Sequence, residues 1–147
     1  MKLPIQRRTA FIRGRSQRDL EALIGGVASF VVDNTPSETQ PFEKKLDLHL
    51  NYVRPGNTEK TIHNYRTEIV HKLLGLYYIS DGVAHASART LVVIESGDYP
   101  QFFRDVLMKF QYPNPMSKRQ TLEGEIADGL RVRPAVLVCE LLRECRE

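Results

Sequence analysis

The sequence predicts a mainly helical fold, a winged helix-turn-helix with a small β wing and extra flanking helices. Three observations predict it. The run 57–75 carries Ile62, Tyr65, Ile69 and Leu73 at spacings of 3, 4 and 4, one stripe of an amphipathic helix. An Asp81-Gly82 turn between two short extended pieces comes directly after it, as a wing would. A second helical stripe, Phe42, Leu46, Leu50 and Val53, precedes it across the breaker Arg54-Pro-Gly56.

Taken in order, Ser16 to Asp19 has the form of a helix start, and Leu20, Leu23, Ile24, Val27 and Val31 line one side of the helix it opens. Gly25-Gly26 weakens that helix or admits another element closely. Asp33-Asn-Thr-Pro36 predicts a turn, and Thr39 is the expected cap of the second helix, with Pro41 in its first turn. Within that helix Leu46-Asp-Leu-His-Leu50 also alternates as a strand would. Asn57 is the expected cap of the third helix and Gly75 its left-handed stop. After the wing, Ser87 caps a fourth helix with Leu91 and Ile94 inward, ended by Gly97. Asp98 caps a fifth, with Gln101 reaching back and Phe102, Phe103, Val106, Leu107 and Phe110 apolar, and the prolines of QYPNP end it. Residues 116–129 read as a linker or loose hairpin. A last helix starts near Pro134, with Val138, Leu141 and Leu142 apolar. The expected organisation is a basic arm over 1–20, a winged-helix domain over 16–112, and a linker with the first helix of a following module over 113–147.

With 27% charged and 8% aromatic residues, composition favours a packed core over disorder or coiled coil. No apolar run reaches the ~18–20 residues needed to span a bilayer, and no apolar segment follows the N-terminal arginines, so neither a membrane span nor a secretory signal is expected. Cys139 and Cys145 would lie on different sides of one helix, suited to neither a mutual disulfide nor a zinc pair. A reducing, cytoplasmic setting is the default.

The overall charge of +3 is local. Lys2, Arg7, Arg8, Arg13, Arg15 and Arg18 against Asp19 give the first 20 residues +5, and the remaining 127 hold 15 basic and 17 acidic side chains. An arginine-rich arm on a nearly neutral body suits phosphate contact. On the third helix, Lys60, Asn64, Thr67 and His71 are expected on the outer face, the kind of side chains that read base edges and phosphates. The set expected to touch DNA is Lys60, His63, Asn64 and Thr67 in the major groove, with Arg7, Arg8, Arg13, Arg15, Lys118 and Arg119 on phosphates.

Catalytic constellations are weak. Asp33 with Glu43-Lys44-Lys45 has the spacing of a metal-dependent nuclease, but Glu43 lies in an expected helix where that chemistry uses a strand. The four histidines form no i, i+4 pair, and no phosphate-cradling glycine loop occurs. Neither a catalytic residue, a metal site nor a small-molecule substrate is expected in this chain.

Three landmarks occur in order: a helix ending in LLGLYYISDG, then SARTLVVIESGDYPQFFRDVLMKFQYPNP, then LRVRPAVLVCELLRE. Residues 57–147 thereby resemble the winged-helix DNA-recognition region of AlwI-like type II restriction and nicking endonucleases. Phe102, Leu107, Lys109, Gln111, Tyr112, Pro113 and Pro115 match one part of that pattern, and Arg133-Pro134 with Leu141-Leu142 the next. The sequence departs from it after the wing, where Ser87 replaces a threonine and position 90 is not glycine. The resemblance implies sequence-specific binding of double-stranded DNA, with a nuclease domain or subunit as partner and magnesium in the parent enzyme rather than in this chain. It also implies that the chain is an N-terminal fragment of a longer enzyme. Three other readings stay open, a free-standing winged-helix regulator dimerising through Val138, Leu141 and Leu142, a helical protein-interaction module, and a small nuclease using Asp33, Glu43 and Lys45.

Overall fold

The computed structural model describes residues 20–113 and 119–145, with the side chains of 20 and 119–122 excepted. The elements are α1 (Leu20–Asp33), β1 (Ser37–Glu38), α2 (Thr39–Val53), α3 (Glu59–Asn64) running on as a π-helix (Tyr65–Leu73), β2 (Tyr77–Ser80), β3 (Val83–Ala86), α4 (Ala88–Ser96), α5 (Tyr99–Lys109), α6 (Arg119–Ala127) and α7 (Pro134–Glu144). Helix, short strand, two helices and a hairpin in this order, with the strands arranged β1-β3-β2, make a winged helix-turn-helix. The mainly helical expectation holds.

The core lies where α1, α2, α3 and the sheet meet. Ile24, Val27, Ala28 and Val31 of α1 meet Phe42, Leu46 and Leu50 of α2 and Ile62, Tyr65 and Ile69 of α3. Leu48 is 72% exposed while Leu46 and Leu50 are fully buried, so the alternating segment is helical. The third helix departs from its expected stripe because its second half is π-helical, with the Leu74 N–H donating to the Ile69 carbonyl at 2.8 Å. The wider turns bring Arg66, Val70 and Leu74 inside, and Leu73 is only half-buried. Gly75 then stops the helix at φ 61° as expected.

Two expected caps move. Thr58 rather than Asn57 caps α3, its hydroxyl accepting from the Thr61 N–H, while Asn57 donates to the Arg54 carbonyl at 2.8 Å. Thr39 is already inside α2, and its N–H and hydroxyl both donate to the Gly82 carbonyl at 2.9 and 2.7 Å. That pair ties the start of α2 to the wing turn, where Asp81 and Gly82 take φ 52° and 77°. Strand β1, too short for a hydrophobic pattern to reveal, pairs Ser37 with Ala84 and Glu38 with Val83.

Helix α4 is turned from its expected orientation. Thr90 and Val93 face inward, and Leu91 and Ile94 are exposed. Leu91-Val-Val-Ile94 is apolar all round, so polarity cannot set its rotation. The buried Thr90 hydroxyl sets it instead, donating to the Leu76 carbonyl at 2.6 Å, while Arg89 donates to the Leu74 carbonyl at 2.9 Å. These bonds satisfy backbone acceptors at the exit of the third helix. Asp98 caps α5 by accepting from the Gln101 N–H, but the Gln101 side chain runs forward to Asp105 rather than back. The approach foreseen at Gly25-Gly26 occurs at Gly25, where an added Cβ would collide with the Tyr99 hydroxyl.

The expected linker contains α6, whose low amphipathicity and Gly124 hid it. Tyr112 and Val132 exchange backbone hydrogen bonds of 2.7 and 2.9 Å across it, and α7 packs against α5. Val138, Leu141 and Leu142 are exposed on α7, as are both cysteines.

Candidate nucleic-acid interface

The first turns of α3 present Lys60 and His63 to solvent, with Asn64 and Thr67 half-buried beside them. These four side chains share one side of the helix, opposite Ile62, Tyr65 and Ile69. The structure therefore brings the four expected base-reading residues together. Thr67 spends its hydroxyl hydrogen on the His63 carbonyl at 2.9 Å, which leaves its methyl and an oxygen lone pair to offer outward. Arg7, Arg8, Arg13, Arg15 and Lys118, and the side chain of Arg119, lie outside the described residues.

His71 does not belong to this face. Its ring stacks on Tyr77 at 4.6 Å, because the π-helical turns rotate it towards β2. Burial lowers its pKa below the usual histidine value; Glu43 raises it, and Lys72 and Arg66 lower it. His49 stacks on Phe30 at 4.4 Å, and burial likewise lowers its pKa, against a hydrogen bond with the Gly26 backbone that raises it.

These two shifts set a pH dependence. A histidine with a folded-state pKa below 6.5 binds fewer protons folded than unfolded in the window beneath 6.5. Stability is then fully present above 6.5 and declines as pH falls from 6.5 towards the folded values. Melting temperatures measured from pH 8 down to 5 should fall on the acid side. His49→Gln and His71→Gln together should flatten that fall, and an unchanged slope would show that neither group is responsible.

Sequence reasoning missed Arg66. It is 5% exposed and stands at the centre of an ion-pair network between α2 and the third helix. Its Nε donates to Asp47 Oδ1 at 2.8 Å, its Nη1 meets Glu43 Oε1 at 2.5 Å, and its Nη2 lies 3.0 Å from His63 Nδ1. Burial alone would lower its pKa, but the hydrogen bond to Asp47, the neighbouring Tyr77 and the charges of Asp47 and Glu43 outweigh that, so the net shift is upward. The Tyr77 hydroxyl lies beside the guanidinium without completing a hydrogen bond, and burial raises its pKa. The signal was present as Glu43 and Asp47 at i, i+4 on α2, facing an arginine one turn after Ile62.

The same network disposes of the nuclease constellation. Glu43 is held by Arg66, Lys45 is exposed, and Asp33 sits at the end of α1, where its carboxylate accepts from Ser29 at 3.4 Å. Among the described residues no three histidine, cysteine or acidic side chains group as a metal site. Among the same residues no helix is long and apolar enough to cross a membrane.

The wing adds an exposed aromatic surface. Tyr78 is 50% exposed and stacks on His85 at 5.2 Å across the β2–β3 pair. Because Thr39 grips the wing turn, the wing, α2 and the third helix form one connected frame.

Residues 3–147 match the family model described as restriction endonuclease BpuJI, N terminal. Among solved structures, the chain is similar to one titled as pyrene- and phenanthrene-modified DNA in complex with the BpuJ1 endonuclease binding domain. The two share 36% identity with a TM-score of 0.74 over 82% of this chain. The match spans only 44% of that solved chain. No curated protein matches.

Proposed function

Because the chain belongs to the family of the restriction endonuclease BpuJI N-terminal region, we propose that it binds double-stranded DNA and supplies sequence recognition to a type II restriction or nicking endonuclease. The observation that carries this reading is the uncovered outer side of α3, with Lys60, His63, Asn64 and Thr67 grouped on a helix braced by α2 and the wing. That half of a helix-turn-helix is the part that enters the major groove. The DNA in the similar solved structure supports the same partner. The likeness of residues 57–147 to AlwI-like recognition regions points the same way and would place the parent enzyme near that group. Cleavage belongs to a separate nuclease domain or subunit, with magnesium there, acting on DNA in the cytoplasm.

Binding to labelled duplex across a salt series tests this reading. Affinity should fall with salt, with log K changing by about 0.9 per phosphate contact for each unit of log salt. Removing residues 1–15 should weaken all sequences alike and flatten that slope, if Arg7, Arg8, Arg13 and Arg15 meet phosphates. Selection from a random pool should return a preferred site, on which Asn64→Ala loses ~1–3 kcal/mol through a lost adenine contact. Salt-insensitive or absent duplex binding would favour the protein-interaction module instead. Specific binding by a stable dimer that needs Val138, Leu141 and Leu142 would favour the free-standing regulator.

A further inference from the structure

His63 and Arg66 lie one turn apart on the third helix, with His63 Nδ1 3.0 Å from Arg66 Nη2. A guanidinium only donates hydrogen bonds. In this contact His63 Nδ1 must therefore be the acceptor, which leaves the ring proton on Nε2. Arg66 is held in place for this task, because Asp47 takes its Nε and Glu43 its Nη1. His63 is exposed on the N-terminal half of the reading helix, so the group it has to offer is one N–H donor in a set orientation.

We infer that His63 is a specificity-determining residue whose Nε2–H, aligned by Arg66, donates to the major-groove acceptor edge of a purine. The inference rests on the reading of α3 as the DNA-reading helix. Guanine offers N7 and O6 and adenine offers N7 on that edge, whereas cytosine presents only an amino donor. In a G·C pair a donor-only side chain is therefore met by the guanine and refused by the cytosine, whereas in an A·T pair thymine O4 accepts as well as adenine N7. Sequence alone leaves the histidine tautomer undetermined, and it is the buried ion-pair network that determines it. Arg66 is in this view a positioning residue, and Glu43 and Asp47 position it in turn.

The test uses this chain and the duplex it selects from a random pool. Each purine is replaced singly by its 7-deaza form, which removes the N7 acceptor and keeps the base pair. At one purine the parent should lose about three- to tenfold in affinity, the worth of one hydrogen bond. His63→Ala, already weaker on the natural site, should lose nothing further at that purine. His63→Gln, whose amide nitrogen reaches the Nε2 position, should keep the sensitivity, and His63→Asn should not. Long-range proton–nitrogen NMR of the DNA-free chain should find the His63 proton on Nε2. A proton on Nδ1 overturns the inference, as does specific binding in which no purine is coupled to His63. A flatter salt slope in His63→Ala without purine coupling also overturns it, and assigns the residue to a phosphate. A parent that binds no duplex at all overturns the reading of α3 itself.

Discussion

Leu46→Ala should lower the unfolding free energy by about 3–5 kcal/mol, whereas Leu48→Ala, two residues on, should change it by no more than about 0.5 kcal/mol. Leu46 is fully buried in α2, between Phe42 and Leu50 one turn to either side, and all three belong to the core shared with α1 and the third helix. Phe42 is itself held edge-on to Tyr77 at 5.0 Å, so the layer beneath Leu46 has limited freedom to close a cavity. The cost therefore combines lost transfer energy with an unfilled void. Leu48 is 72% exposed and leaves no void. The pair of variants separates two conformations of one segment. In a strand, positions 46, 48 and 50 share a face and both substitutions would cost alike. Urea denaturation with unchanged m-values checks it. Near-equal losses would remove α2 from the helix-turn-helix and leave the third helix without its packing partner.

Much of this architecture was legible because helix periodicity and turn chemistry are local. The stripe on α2, the Ile62, Tyr65 and Ile69 part of the stripe on the third helix, the Gly75 stop, the Asp81-Gly82 wing turn and the Ser87 and Asp98 caps all follow from neighbouring residues. What failed was decided at long range. The rotation of α4 depends on a hydroxyl reaching Leu76, fourteen positions away. Strand β1 exists because β3 offers it an edge, and two residues carry no pattern of their own. The π-helical turns of the third helix cannot be read from spacing, since Ile62, Tyr65, Ile69 and Leu73 fit an α-helix as well.

The candidate site divides in the same way. The grouping of Lys60, His63, Asn64 and Thr67 on one side of the third helix was legible because a polar outer face is a property of one helix. His71 was misplaced because the π-helix alters the angle between it and that face, and turns it onto Tyr77. Arg66 was missed because arginines are seldom buried unless paired, and its partners lie on another helix. Its role becomes visible only once α2 and α3 are packed.

Arg66→Met should therefore cost about 2–4 kcal/mol, a large loss for one residue. The methionine can fill much of the apolar volume, so the cost falls mainly on the acids left behind. Glu43 and Asp47 would face each other's charge without their cation. Their side chains are 27% and 33% exposed, so water recovers part of the lost energy, and the expected figure sits below that for a fully enclosed pair. Arg66→Lys should not restore the parent, because a single ammonium cannot serve two carboxylates and an imidazole in a planar fork. Adding Glu43→Gln and Asp47→Asn to Arg66→Met should return part of the stability by removing the stranded charges. It should not return sequence discrimination, because neither amide lies where Nη2 meets His63 Nδ1. Equilibrium unfolding of these variants, set beside their affinities for selected and random duplex, separates the two roles of the arginine. A loss below about 1 kcal/mol in Arg66→Met would mean that the network does not brace the third helix. If the triple variant regained full discrimination, α3 would be oriented by its apolar packing alone.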